Sequence, residues 1–148
     1  MQLGRDLALW IGGPRESAGA RTNPAELLAG VVREIRKYPT PADALDGFCS
    51  RGDALRSTRS ILLVVDQRGR PPSDIRWTWL TLLAHLGFGP LILLVDELEA
   101  AIVERARRSG VLRCIEERHL ARHPGLLRRA VRRALGSPAP VAVRESVR

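Results

Sequence analysis

The chain predicts a three-layer α/β sandwich, a five-stranded parallel sheet between two layers of helices, on three observations. The runs Leu7–Ile11, Ile61–Val65 and Leu91–Val95 have strand length and are apolar throughout, which marks strands buried on both faces. Amphipathic helical stretches separate the strands, and strand–helix alternation builds parallel sheets. Two of the runs end in a carboxylate, Asp66 and Asp96, at the strand end where open α/β sheets carry their chemistry.

The totals agree. At 148 residues the chain makes one domain with a real core, expected over residues 1–136, with residues 137–148 as a flexible tail. Aromatics supply only 4% of the residues, so the core must be aliphatic. Lys+Arg outnumber Asp+Glu by 24 to 16, and Lys37 is the sole lysine. Arginine dominance suits anionic partners, and equally follows from a GC-rich coding sequence. Cys49 and Cys114 lie far apart without metal-site spacing, as in a reducing compartment. No apolar stretch reaches membrane-span length, and Arg5 and Asp6 ahead of a single strand-length run do not make a signal peptide. The expected location is cytoplasmic.

Element by element, Leu7 to Ile11 is the first strand, stopped by Gly12-Gly13-Pro14. Asn23-Pro24-Ala25-Glu26 offers a cap, a first-turn proline and a capping glutamate. Leu27, Leu28, Val31, Val32 and Ile35 then share one helical face. Tyr38 to Pro41 leaves room for a stub of strand. Ala42 to Gly52 reads as a short helix with Leu45, Phe48 and Cys49 inward. After the strand ending at Asp66, Ser73 or Asp74 caps a helix to Leu86. Its expected core stripe is Ile75, Trp79, Leu82, Leu83 and Leu86, with Trp77, Leu80 and Ala84 opposite. Asp96 and Glu99 repeat the capping-box spacing before a helix with Leu98, Ala101 and Ile102 inward, and Gly110 stops it. Val111 to Ile115 is a weaker strand. Pro124 opens a last helix with Leu126, Leu127, Ala130, Val131, Ala134 and Leu135 inward, Arg128, Arg129, Arg132 and Arg133 outward, and Gly136 at its end. Ser137 to Arg148 has no periodicity.

From about Asp6 to Leu135 this chain resembles a response-regulator receiver domain, the flavodoxin-like module of two-component signalling. The stretch Ile61 to Asp66 resembles the strand that carries the phosphoacceptor, with Pro71 one residue later than usual. Pro90 to Asp96 resembles the fourth strand, Arg108-Ser109-Gly110-Val111 the step before the fifth, and Leu126 onward the closing helix. The resemblance implies Asp66 as the phosphoacceptor equivalent, and Val95, Asp96 and Glu117 as the rest of its pocket.

The family's chemistry also uses a magnesium ion held by two acids after the first strand, a hydroxyl at the end of the fourth, and a lysine at the end of the fifth. Here those positions read Ile11-Gly12-Gly13-Pro14, Val95, and Glu116-Glu117-Arg118. The expectation is therefore a pocket short of the positive charge that a phosphoryl dianion needs. Asp66 then reads as a strand-end carboxylate, solvated or paired with an arginine. The competing reading keeps it as a phosphoacceptor, with Arg68, Arg70 or Arg118 replacing lysine. Asp96 reads most simply as a helix cap.

Other constellations are weaker. Gly12-Gly13 has neither dinucleotide-loop nor P-loop spacing. His85, His119 and His123 form no ligand array, the last two lying in an expected loop, and no metal or cofactor is expected. Ser17 and Ser60 lack a nucleophile signature. The four outward arginines of the last helix form a candidate partner surface, with solvation of a helix end as the bland alternative. Trp77 with Leu80 is a second such surface. The function expected is an atypical receiver-like domain, not an enzyme, acting through protein contacts without magnesium-dependent aspartyl phosphorylation. The expected partner is a protein, with an acidic one or a second copy as variants. The alternatives are a phosphorylated receiver, a small α/β enzyme or ligand-binding domain over Asp66 and Asp96, and a nucleic-acid accessory protein.

Overall fold

The computed structural model describes residues 7–13, 27–28, 30–49, 61–86, 89–123 and 125–136. The proposed cap at 23–26 and tail at 137–148 lie outside the described residues. So do the inward placements of Phe48, Cys49, Ala134 and Leu135.

Five strands form one parallel sheet: β1 (Leu7–Gly12), β2 (Glu34–Tyr38), β3 (Ile61–Asp66), β4 (Leu91–Val95) and β5 (Arg113–Glu116), in the order β2-β1-β3-β4-β5. Among the described residues the α-helical segments longer than one turn are α1 (Pro41–Cys49), α2 (Trp77–His85), α3 (Ala100–Ser109), α4 (Glu117–Arg122) and α5 (Gly125–Gly136). The doubly wound α/β sandwich is the predicted one. None of the described helices is long and apolar enough to cross a membrane.

Strand alternation divides the aliphatic runs into two cores. Leu9, Ile11, Leu63, Val65, Leu93 and Val95 face Ala44 of α1, Leu80 and Leu83 of α2, and Ile102 and Ala106 of α3. Ala8, Trp10, Leu62, Val64, Ile92 and Leu94 face Leu27, Leu28, Leu120 of α4, and Leu127, Ala130 and Val131 of α5. Both faces are covered, which is why β1, β3 and β4 tolerate hardly any polar residue.

Several local expectations are corrected. Val31 and Val32 donate their N–H groups to the Leu28 carbonyl (3.0 and 3.4 Å) in a turn, and Ile35 lies in β2. Leu27 is helical and the five residues do share one core, with Leu27 and Leu28 buried in it and Val31, Val32 and Ile35 packed against it. The helix does not run on to Ile35, which belongs to a half-exposed edge strand without an aliphatic run. Thr40 heads α1, accepting the Asp43 N–H at 3.1 Å while donating its hydroxyl to the Asp43 carboxylate at 3.0 Å, a reciprocal cap. In α3, Ala101 is exposed and Ile102 and Ala106 face the core, with Leu98 packed against it just before the helix. Gly110 does end α3, in the left-handed conformation at φ 93° that favours glycine. His119 lies in α4, not in a loop, and its carbonyl accepts the His123 N–H.

The largest correction concerns α2. Leu80 is fully buried and Leu83 nearly so, whereas Leu82 and Leu86 are 41% and 42% exposed. The sequence has two apolar stripes here, and only the phase set by Ile75 favours the stripe through Leu82. Ile75 and Arg76 are non-helical, so the phase at Ile75 does not carry into the helix. Leu80→Ala is expected to destabilise the protein by about 2–5 kcal/mol in urea unfolding, and Leu82→Ala by under about 1 kcal/mol. The reverse ranking would reinstate the other face.

Candidate functional site

The site lies where β1 and β3 end. Gly13 donates its N–H to the Asp66 carbonyl at 3.0 Å. Gly12, at φ 85°, comes so close that an added Cβ would sit 2.8 Å from the same oxygen; a side chain is excluded there by both conformation and space. This glycine pair occupies the position of the acids expected from the resemblance.

Asp66 is buried, 1% exposed, and accepts four hydrogen bonds. Its Oδ1 receives the Arg68 backbone N–H at 3.1 Å and Arg68 Nε at 2.8 Å. Its Oδ2 receives Arg68 Nη2 at 2.8 Å and Trp10 Nε1 at 3.2 Å. A carboxylate offers about four lone-pair sites, so its acceptor capacity is filled. The Arg68–Asp66 fork is bidentate, and both side chains are wholly buried. The third nitrogen, Arg68 Nη1, reaches Glu117 Oε1 at 2.9 Å, on a side chain 24% exposed. Burial works against the Arg68 charge, yet its bonds to Asp66 and Glu117 prevail and hold its pKa above the ordinary value.

The expected shortage of positive charge is thus corrected. A guanidinium stands at the carboxylate, and it comes from the turn after β3 instead of the end of β5. Arg68 is one of the three arginines that could replace lysine. Of the others, Arg70 lines the clefts on either side of Gln67, and Arg118 bonds Glu116 at 3.2 Å. The arginine-paired reading of Asp66 is the geometry found. Trp10, expected only as a strand residue, joins the site. Its signal is an indole N–H inside an aliphatic strand, which needs a buried acceptor.

The other pocket positions have structural partners. Val95 is buried in the first core. Asp96 does not cap α3, whose cap position is Glu99 without a side-chain bond. Its Oδ2 accepts the Gly69 N–H at 2.8 Å, tying the loops after β3 and β4 together. Glu116 is buried and takes the Leu98 N–H at 2.9 Å; chiefly that bond holds its pKa below the ordinary value, helped by Arg118 and His119.

Magnesium, implied by the resemblance, calls for several free oxygens, carboxylates prominent among them. Here β1 ends in glycines, the Asp66 oxygens are engaged, and among the described residues no group of three His, Cys, Asp or Glu gathers. These residues do not fit the ion.

The two partner surfaces fare differently. Arg129, Arg132 and Arg133 are exposed on α5, and Arg128 is half-buried. Leu80 belongs to the core and cannot line a surface. Trp77 is half-buried against that core, with the Arg105 guanidinium 5.6 Å from its ring centroid.

No family model matches the chain, and no curated protein matches it. Among solved structures it is similar to the chemotaxis protein CheY4 of Vibrio cholerae, at 13% identity and a TM-score of 0.61, over 89% of this chain and 100% of that one. The fold is receiver-like. At this identity the likeness concerns the fold alone, and the receiver-like frame places Asp66 at the C-terminal edge of the central strand, with a cation already on it.

Arg68→Met would strand a buried carboxylate, and removal of one partner of a buried pair costs about 3–5 kcal/mol. Arg118→Met, at an exposed pair, is expected to cost under about 1 kcal/mol. Urea unfolding of both variants checks this, and equal costs would mean that the Arg68 fork is not closed.

Proposed function

We propose that the chain is an atypical receiver-like signalling domain that works by protein contacts and in one charge state, without magnesium-dependent phosphorylation of Asp66. The observation that carries this reading is the filled acceptor capacity of the Asp66 carboxylate. To attack a phosphoryl donor, an oxygen must aim a lone pair at phosphorus, and here each oxygen already receives two donors. Opening the site would strand the Arg68 charge in a buried position. The glycines at the end of β1 supply no ligand for the metal that such chemistry uses.

In this reading the Asp66–Arg68–Glu117 network stands where a phosphoryl group and its counter-charges would be. The domain therefore presents its surfaces constitutively. Of these, α5 with exposed Arg129, Arg132 and Arg133 suits an acidic protein surface, because guanidinium groups fork onto carboxylates.

One observation favours a second reading. Arg68 supplies, at bonding distance, the neutralising cation that the end of β5 does not offer, and a phosphorylated Asp66 could retain it. The two readings part on one experiment. Incubation with acetyl phosphate and magnesium should leave the intact mass unchanged. A single phosphoryl adduct, absent from Asp66→Asn, would establish the second reading and end the first.

A further inference from the structure

The cleft at the C-terminal edge between β1 and β3 has no role in the Asp66–Arg68 pairing, although Asp66 forms part of its floor. It encloses about 380 Å³, within the roughly 300–1,000 Å³ of small-molecule sites. The strand order places it where the winding reverses, with β2 on one side of β1 and β3 on the other. Open parallel sheets bind ligands at such crevices.

Its walls have a distinct chemistry. Gly12, Thr40, Arg70, Asp74, Arg76 and Trp79 are among the residues that line it. Arg70, one of the lining residues, has a buried Nε without a hydrogen-bond partner, a donor of a permanently charged group left without an acceptor. Asp66 is neutralised by Arg68. The remaining charged walls are then Arg70 and Arg76 against Asp74, a surplus of one positive charge. Trp79, half-buried, adds a flat apolar face to the same lining.

We infer that this cleft binds a small organic anion carrying a flat ring, with the acidic group on Arg70 and Arg76 and the ring against Trp79. Such a ligand gives the receiver-like fold an input other than phosphorylation. The inference does not require the reading proposed above, since the groups that hold the ligand are Arg70, Arg76 and Trp79, and Asp66 contributes only part of the lining.

Isothermal calorimetry on the full chain tests it, with adenosine monophosphate and 4-hydroxybenzoate as probes and adenosine and inorganic phosphate as controls. At least one of the two ringed anions should bind saturably at about millimolar Kd or tighter, and the one preferred tells a phosphate ligand from a carboxylate. Either control alone should bind at least about tenfold more weakly. Arg70→Gln and Trp79→Leu, each verified as folded by circular dichroism, should lower the affinity of the preferred probe by about tenfold or more. Lack of saturation by both anions up to about 10 mM, or unchanged affinity in both variants, overturns the inference. The phosphorylation assay reads a different atom, so failure of one does not entail failure of the other.

Discussion

Two oxygens of one buried carboxylate hold the C-terminal edge of this sheet together. Asp66 ends β3, Trp10 reaches it from β1, and Arg68 folds back on it from the following turn while extending to Glu117 at the start of α4. A buried charge is tolerable only when paired and fully hydrogen-bonded, so these four side chains must be present together. Gly12 and Gly13 permit the close approach of β1 that brings the Trp10 indole within reach. A side chain at Gly12 would push the two strand ends apart. The turn after β3, the end of β1 and the first residue of α4 thus depend on a single interaction.

The same interaction shapes the functional reading. A receiver-like fold offers a strand-end aspartate whose charge can be altered, and the rest of the domain responds. Here the carboxylate is met by a cation of its own chain, with geometry that leaves no acceptor direction open. The second strand-end acid, Asp96, is also occupied, because it joins the loops after β3 and β4. In the proposed reading, permanent charges of the chain stand where a switch would deliver and remove charge. The contacts proposed for the domain are the arginine face of α5 and the cleft between β1 and β3.

Much of the fold was legible in the sequence because β1, β3 and β4 are buried on both faces, and an unbroken aliphatic run of strand length fits little else in a small α/β domain. β2 was not, since an edge strand with Glu34, Arg36 and Lys37 on it carries no such run. Helices α2, α3 and α5 were readable, the short α4 reads as a loop from sequence alone, and the phase of α2 was not legible: Leu80 and Leu82 are chemically identical, and the non-helical link at Ile75–Arg76 decides which one turns inward. At the site, the missing acids after β1, the absent hydroxyl at Val95 and the anion at Glu117 were visible in one dimension. The convergence of Arg68 was not, because a residue two positions after a strand can turn either to solvent or back onto the strand end. Which it does depends on partners such as Glu117, which is 49 residues away in sequence.

The pairing of Arg68 with Asp66 can be observed directly through exchange of the Arg68 Nε proton with solvent by NMR at neutral pH. A guanidinium sealed from water and forked onto a carboxylate should show an Nε–H resonance that persists, with exchange slowed to the range of core amides. Exchange as fast as that of exposed Arg133 would show an open, solvated carboxylate, and the account built on its occupancy would fail.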